Sequence, residues 1–345
     1  MRVLAEVHTG AEDSLVETPR SLILASRTGR WPPLASRATM ADVDADEDGR
    51  DTGGAEISWA LRPMSSGDVN AVVGVVEAAH SARPRRDLDA PRTPPTEAQR
   101  DASSRGHARF VERDGPGAWV AVADDRVVGV AESIRRGDFW GLSMLFVHPD
   151  VQDLGVGREL LEASRCYGEG ARERMIQSSA DPRAMRRYAH VGLAMHPAAE
   201  IAGVPDRTAI PSPLAGRAGD RDDLDLVEAV EAQLGRSRTE DVAFLLEDDA
   251  SRLEVVDDGP RRGWALCRRA RVIALGATDD GTAATLLWRY LAGLDSEATV
   301  FGLTAAQNWA FTVAHAARLT LRVEGAMFVG GMDMPGPWIP SGWYF

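Results

Sequence analysis

From residue 57 onward, apolar and polar positions alternate with two clear periods. ISWALRP, beginning at Ile57, reads as a strand, and SGDVNAVVGVVEAAH behind it carries an apolar stripe at helical spacing after a Ser/Asp cap. RPRRDLDAPRTPP is a proline-broken loop, and TEAQRDASSRGHARFVER predicts a second helix. In AWVAVADDRVVGVAESI, Asp124-Asp125 separates two alternating runs, the mark of a hairpin. FWGLSMLFV predicts a fourth strand, GVGRELLEASRCYG a helix, ERMIQSS a fifth strand, and DPRAMRRYAHVG a helix with proline in its first turn. LAMHPAAEIAG closes this unit as a sixth strand.

VPDRTAIPSPLAGRAGD is rich in Pro and Gly and loses the periodicity, so a linker is expected over 206–218. A second unit follows. RDDLDLVEAVEAQLG and EDVAFLLEDD read as helices, RLEVVDD, GWALCRR and RVIALGA as strands, and TAATLLWRYLAG as a helix; ATVFGLT and AQNWAFTVAHAARL then repeat the strand and helix order. ADPRAMRRYAHVGL, from Ala180, aligns without a gap to AQNWAFTVAHAARL, from Ala306, at an offset of 126. Gly129 in VVGVAE and Gly263 in RRGWAL align at an offset of 134. The second copy therefore lacks eight residues between those points.

The chain has 345 residues, 44% hydrophobic and 26% charged, which suffices for two cores. Residues 1–55 end in DVDADEDGRDTGG, which has too little apolar surface to offset ordering, so a disordered acidic leader is expected, with Met40 as an alternative start. The expected domains are thus 56–205 and 219–345 on either side of the linker. Cys166 and Cys267 are too few for a disulfide framework, and the seven histidines lack ligand spacing, so no metal is expected. SLILAS is too short for a secretory apolar run, no stretch approaches a membrane span, and a cytoplasmic location without membrane contact is expected. A formal charge of −13 argues against nucleic-acid binding and mildly favours a cationic partner such as an amine.

The most informative stretch is FVHPDVQDLGVGRELL, where a strand passes through a charged loop with glycines at 155 and 157 into a helix. Glycines there permit close approach to main-chain N–H groups at a positive helix end, a place suited to phosphate. A P-loop needs Lys-Ser/Thr after its glycines, where this chain has Arg158-Glu159; a dinucleotide fingerprint needs GxGxxG directly after the strand, where HPDVQDL intervenes and Leu160 holds the third glycine position.

The stretch instead resembles motif A of the GNAT superfamily of N-acetyltransferases, Q/R-x-x-G-x-G/A, with Gln152, Gly155 and Gly157 in register. DPRAMRRYAHVGL resembles that family's motif B, Tyr188 standing four residues before Gly192, with Asp181 where many members carry asparagine. The resemblance implies an α/β (α+β) fold of two tandem GNAT-like domains, each a mixed, mostly antiparallel twisted sheet flanked by helices. It also implies acetyl transfer from acetyl-CoA to a primary amine in a ternary complex. Backbone groups of Leu145, Phe146 and Val147 would hold the pantetheine arm. The loop Gln152, Asp153, Leu154, Gly155, Val156, Gly157 and Arg158 would wrap the pyrophosphate, and Asp181 would cap the next helix.

In the same scheme Tyr188 would protonate the leaving thiolate and Glu132 would serve as the base, directly or through water. The tail carboxylate at Phe345 is a further candidate for the cleft. In the second copy Ala314 and Arg318 replace Tyr188 and Gly192, and no QxxGxG loop remains, so that copy is expected to be degenerate. The acceptor would be a small-molecule or peptide amine, and a homodimer is compatible with the family. Two alternatives stay open: a non-catalytic acyl-CoA sensor or scaffold, and a mycothiol-synthase-like enzyme, which also looks like two GNAT copies.

Overall fold

The computed structural model describes residues 34–36, 57–82, 94–334 and 336–344. Of the expected leader only the strand β1 (Leu34–Ser36) is among them; Met40 and Phe345 lie outside the described residues. The first half runs β2 (Trp59–Pro63), α1 (Val69–Ala82), α2 (Glu97–Asp114), β3 (Ala118–Ala123), β4 (Arg126–Arg136), β5 (Phe139–Val147), α3 (Val156–Arg165), β6 (Glu173–Ser179), α4 (Pro182–Ala189) and β7 (Ala194–Gly203). The second runs β8 (Arg217–Gly219), α5 (Leu224–Gln233), α6 (Thr239–Leu245), β9 (Ser251–Asp258), β10 (Arg261–Arg268), β11 (Arg271–Ala277), α7 (Asp280–Ala292), β12 (Ala298–Leu303), α8 (Asn308–Ala316), β13 (Thr320–Gly330) and β14 (Trp338–Ile339).

Local chemistry explains most boundaries. Asp124 and Asp125 take φ of 47° and 60°, the two left-handed positions that a tight hairpin turn between twisted strands requires. Ser65 with Asp68 and Thr96 with Gln99 form capping boxes ahead of α1 and α2. Arg62 grips Asp68 through two hydrogen bonds of 2.7 and 2.6 Å, and Arg217 grips Asp223 in the same way at 2.8 and 2.6 Å. The internal repeat therefore begins with a strand, an Arg–Asp fork and a capping turn in both halves.

From β2 the strand order is β2-β3-β4-β5-β6-β13-β7-β12-β11-β10-β9-β8, one continuous sheet through both halves. Each half lends its last strand to the other. β13 lies antiparallel between β6 and β7, pairing Phe328 with Ile176 on one side and with Met195 on the other. β7 lies between β13 and β12, pairing Ile201 with Val300. Alternation along β13 sends Met327 and Val329 into the core under α1 and α2, and Ala326 and Phe328 into the core around α4. Burying side chains of this size stabilises the fold by about 1.5–3 kcal/mol each.

Four strands have no counterpart in the sequence reading: β1, within the expected disordered leader, β8, at the end of the expected linker, and β13 and β14 beyond the last repeat match. The eight missing residues can now be located. Gly129 and Gly263 are equivalent, since a Cβ on either would come within 3 Å of a helix leucine, Leu160 or Leu286. Gly129 pairs with Val147, 18 positions on, while Gly263 pairs with Ala277, 14 positions on. Leu160 stands 13 positions after Val147 and Leu286 nine after Ala277. Four residues are therefore lost from the hairpin before β11 and four from the loop ahead of α7.

Candidate active site

Strands β5 and β6 run parallel and pair from Phe139↔Glu173 to Leu142↔Ile176. There the pairing ends. Opposite, the β4–β5 ladder steps from Ser133↔Leu142 to Glu132↔Met144, leaving Ser143 as an unpaired extra residue. Such a bulge bends its strand, and the last residues of β5 splay away from β6. The gap is a cleft of about 180 Å³ lined by Ser143–Val147 on one side and Gln177, Ser178 and Tyr188 on the other. Leu145, Phe146 and Val147 thus reach the cleft with no strand paired on that side.

The glycine loop lies at the mouth of this cleft. Gly155 has φ of +95° and occupies the N-cap position of α3 without any side-chain cap, a conformation glycine adopts freely. The main-chain N–H groups of Asp153 to Gly157 meet no acceptor among the described residues, whereas those of Gln152 and Arg158 bond to Pro149 and Gly155 carbonyls. Gln152 works through its side chain. Its amide donates to the Val147 carbonyl at 3.0 Å and accepts from Arg183 at 2.9 Å, so it fixes the loop.

Helix α4 contributes residues that sequence reasoning passed over. Arg187, half-buried, reaches the loop so closely that a Cβ on Gly157 would stand 2.5 Å from its guanidinium, and no ion pair or hydrogen bond occupies it among the described residues. Arg183, one turn earlier, is shared by Asp181, Gln152 and Asp153. The signal was present as arginines at i and i+4 of DPRAMRRYAHVG, one face of a helix. Asp181 caps α4, accepting from the Arg183 amide at 2.9 Å. Burial works against its charge, but the Arg183 hydrogen bonds prevail and hold its carboxyl below the usual range.

Tyr188 is buried, its ring centroid 5.7 Å from that of Phe328 on the lent strand β13 in an edge-to-face arrangement. It lines the cleft. Burial pushes its phenol far above the ordinary value, the Arg187 charge opposing only in part, so it stays protonated near neutrality. Gly192 takes φ of +78° just past the helix and turns the chain into β7.

Glu132, the candidate base, points into the interior from β4. It has no exposed surface, and both carboxylate oxygens face the equally buried His107 Nδ1 at 2.8 and 3.0 Å. Burial raises its pKa, and His107 opposes that rise. Trp343 of the C-terminal tail covers the pair, its ring centroid 5.5 Å from His107. On the far side of Trp343 lies a cavity of about 710 Å³ between α2, the β10–β11 turn and the tail. Gln177 lines both this cavity and the cleft. Ser143 of the bulge donates to the Trp343 carbonyl at 2.5 Å, so the two spaces abut there.

In the second half the corresponding splay is filled. β11 and β12 pair only at Arg271↔Thr299, but β14 lies along the freed end of β11, matching Leu275 with Ile339 and Gly276 with Trp338. The Ala277 amide donates to the Pro337 carbonyl at 2.9 Å. Asp279 caps α7, accepting from the Thr282 amide at 2.9 Å and its hydroxyl at 2.6 Å. Arg318 keeps the left-handed turn of Gly192, with φ of 57°. Among the described residues no group of three His, Cys, Asp or Glu could hold a metal ion, and no helix is long and apolar enough to cross a membrane.

Residues 114–192 match the acetyltransferase (GNAT) domain family. No curated protein sequence matches the chain. The fold is similar to that of a Pyrococcus horikoshii protein assigned as an acetyltransferase, with a TM-score of 0.66, 13% identity and coverage of 88% of this chain and 99% of that one. It is similar to a GCN5-related N-acetyltransferase from Kribbella flavida, with a TM-score of 0.51, 20% identity and coverage of 79% and 71%. A tandem GNAT protein from the clavulanic acid biosynthesis pathway matches with a TM-score of 0.52, 16% identity and coverage of 80% and 99%. At these identities the structural likenesses establish the fold, while the domain match spans the splay, the glycine loop and Tyr188. Residues 114–192 thus match the GNAT acetyltransferase domain, and the chain as a whole has the fold of tandem GNAT proteins.

Proposed function

We propose that the chain transfers the acetyl group of acetyl-CoA to a primary amine at the open splay of its first half, with one working site per chain. The observation that carries this is a set of five unclaimed main-chain N–H groups, Asp153 to Gly157, facing an unpaired half-buried guanidinium, Arg187. Amides at a glycine-opened helix start together with an arginine suit a diphosphate. The free edge of β5 at Leu145 to Val147 suits an extended pantetheine arm. Acetyl-CoA, when bound, supplies an acetyl thioester.

The chain's own residues then have distinct tasks. The splay edge aligns the thioester carbonyl, and its main-chain donors stabilise negative charge on that oxygen. The amine nitrogen bonds to the acetyl carbon as the carbon–sulfur bond breaks. Tyr188, kept neutral by burial, gives its proton to the departing sulfur. Glu132, enclosed with His107, takes the amine proton through an intervening relay and not by contact.

Calorimetric titration of the intact chain with acetyl-CoA tests the reading. One site per chain is expected, and Arg187→Gln should weaken binding by about tenfold or more, the weight of a hydrogen bond to a charged group. Undiminished affinity in Arg187→Gln, or no binding to the unaltered chain, would overturn it.

A further inference from the structure

We infer that the 710 Å³ cavity takes an amine that also carries a negative charge, a carboxylate or a phosphate, and this rests on acetyl-CoA occupying the adjoining splay. Across the whole chain the balance is −13, which by itself favours a cationic acceptor. The cavity reverses that sign. Its lining holds Arg268, Arg269 and Arg271 and no Asp or Glu.

Arg268 is already engaged by Asp248. Arg269 and Arg271 have no ion pair among the described residues, and both are exposed. Arg271 stands over the Phe301 ring at 5.1 Å, an aromatic face that orients a guanidinium without neutralising it. Arg269 sits at the β10–β11 turn with φ of 52°, a left-handed position that a non-glycine residue seldom takes. A polyamine entering here would meet like charge at both arginines; a carboxylate or phosphate would find paired donors.

The lining is also furnished for the amine. The Gln177 side-chain oxygen is buried and has no hydrogen-bond partner, and the Tyr344 hydroxyl, on a residue 2% exposed, has none either. Both residues line the cavity. Burying such groups unpaired is unfavourable, and a bound polar ligand relieves it. Gln177 also lines the cleft, so an amine donating to its oxygen lies at the junction of the two spaces. Phe244, Phe301 and Trp343 add apolar surface to the lining for a side chain. In the transfer the nitrogen gains the acetyl carbon, the thiolate leaves with the phenolic proton of Tyr188, and the anionic group is unchanged.

The test uses the intact chain, acetyl-CoA and matched acceptors that differ in one charge: phenylalanine against phenylalaninamide, and O-phosphoserine against serine, with spermidine as the cationic arm. Free thiol release gives kcat/KM for each. The carboxylate or the phosphate member should exceed its neutral match by about tenfold or more, the pair that does so identifying the source of the charge. Arg269→Gln/Arg271→Gln should bring that ratio close to one by raising the acceptor KM, with acetyl-CoA affinity by calorimetry unaltered. A preference for the neutral members or spermidine, thiol release with no anionic acceptor despite bound acetyl-CoA, or an unchanged ratio in the double variant would overturn the inference alone. Failure of acetyl-CoA to bind the unaltered chain would instead remove the reading of the splay, and this inference with it.

Discussion

The two halves present the same wedge in two conditions. In the first, β5 parts from β6 after the bulge at Ser143, the wedge stays open, and α3 begins at a glycine whose neighbouring N–H groups are unclaimed. In the second, β11 parts from β12 in the same manner, but Trp338 and Ile339 pair along its edge and the Asp279 carboxylate occupies the start of α7. The chain has therefore supplied its own ligand to the second wedge. An extended segment stands where a pantetheine arm would lie, and a carboxylate where an anion would sit. Ala314 in the position of Tyr188 then has a physical setting, because there is no open cleft for a tyrosine to line.

Trp338→Ala tests the filled wedge hardest. Its indole is fully buried, and removing it should cost about 3–5 kcal/mol. The thermal midpoint should then fall by roughly 10 °C for a chain of this size. Acetyl-CoA stoichiometry should remain one, since Asp279 still caps α7; a second binding event would break the contrast between the halves.

The open wedge is sharpened by Tyr188→Phe, which keeps the ring against Phe328 and removes only the hydroxyl. Turnover should drop by about 10²–10³-fold with acetyl-CoA affinity held, as expected for loss of a proton donor. A fall in affinity of the same size would assign Tyr188 to packing instead.

The smallest effect concerns what the halves share. The Arg62 hydrogen bonds, with the Ser65 cap, hold Asp68 at about 2, below its ordinary value, and Arg217 lowers Asp223 in the same way. A depressed carboxyl stabilises the fold above its unfolded pKa and ceases to do so as pH falls through the folded one. Asp68→Asn should thus cost about 1 kcal/mol at neutral pH, given the open side of Arg62 to solvent, and almost nothing near pH 2. Chemical denaturation at the two pH values reads the difference, and a gap that persists in acid would contradict the pairing.

The loop and helix of the candidate site were legible because their signals are local. Gly155 and Gly157 are required by backbone conformation and close approach, Tyr188 and Gly192 by one turn of helix and its end. Arg187 was equally visible as one of several arginines on α4, but nothing in the letters distinguishes a solvated guanidinium from one held over the loop. The enclosure of Glu132 was not legible, because strand alternation reports which face a residue takes and not what lies above that face. His107 and Trp343 that enclose it come from 25 positions earlier and 211 positions later.

The sequence by itself determined most of the elements, the repeat, the glycine-opened loop and the tyrosine on α4, since each depends on contacts within a turn or a strand. Only the tertiary structure decided that the last strands are exchanged between halves, that β14 fills one wedge while the other stays open, and that arginines gather in one cavity of an acidic chain. Those outcomes depend on which distant segments pair and bury one another, and periodicity carries no record of a partner a hundred residues away.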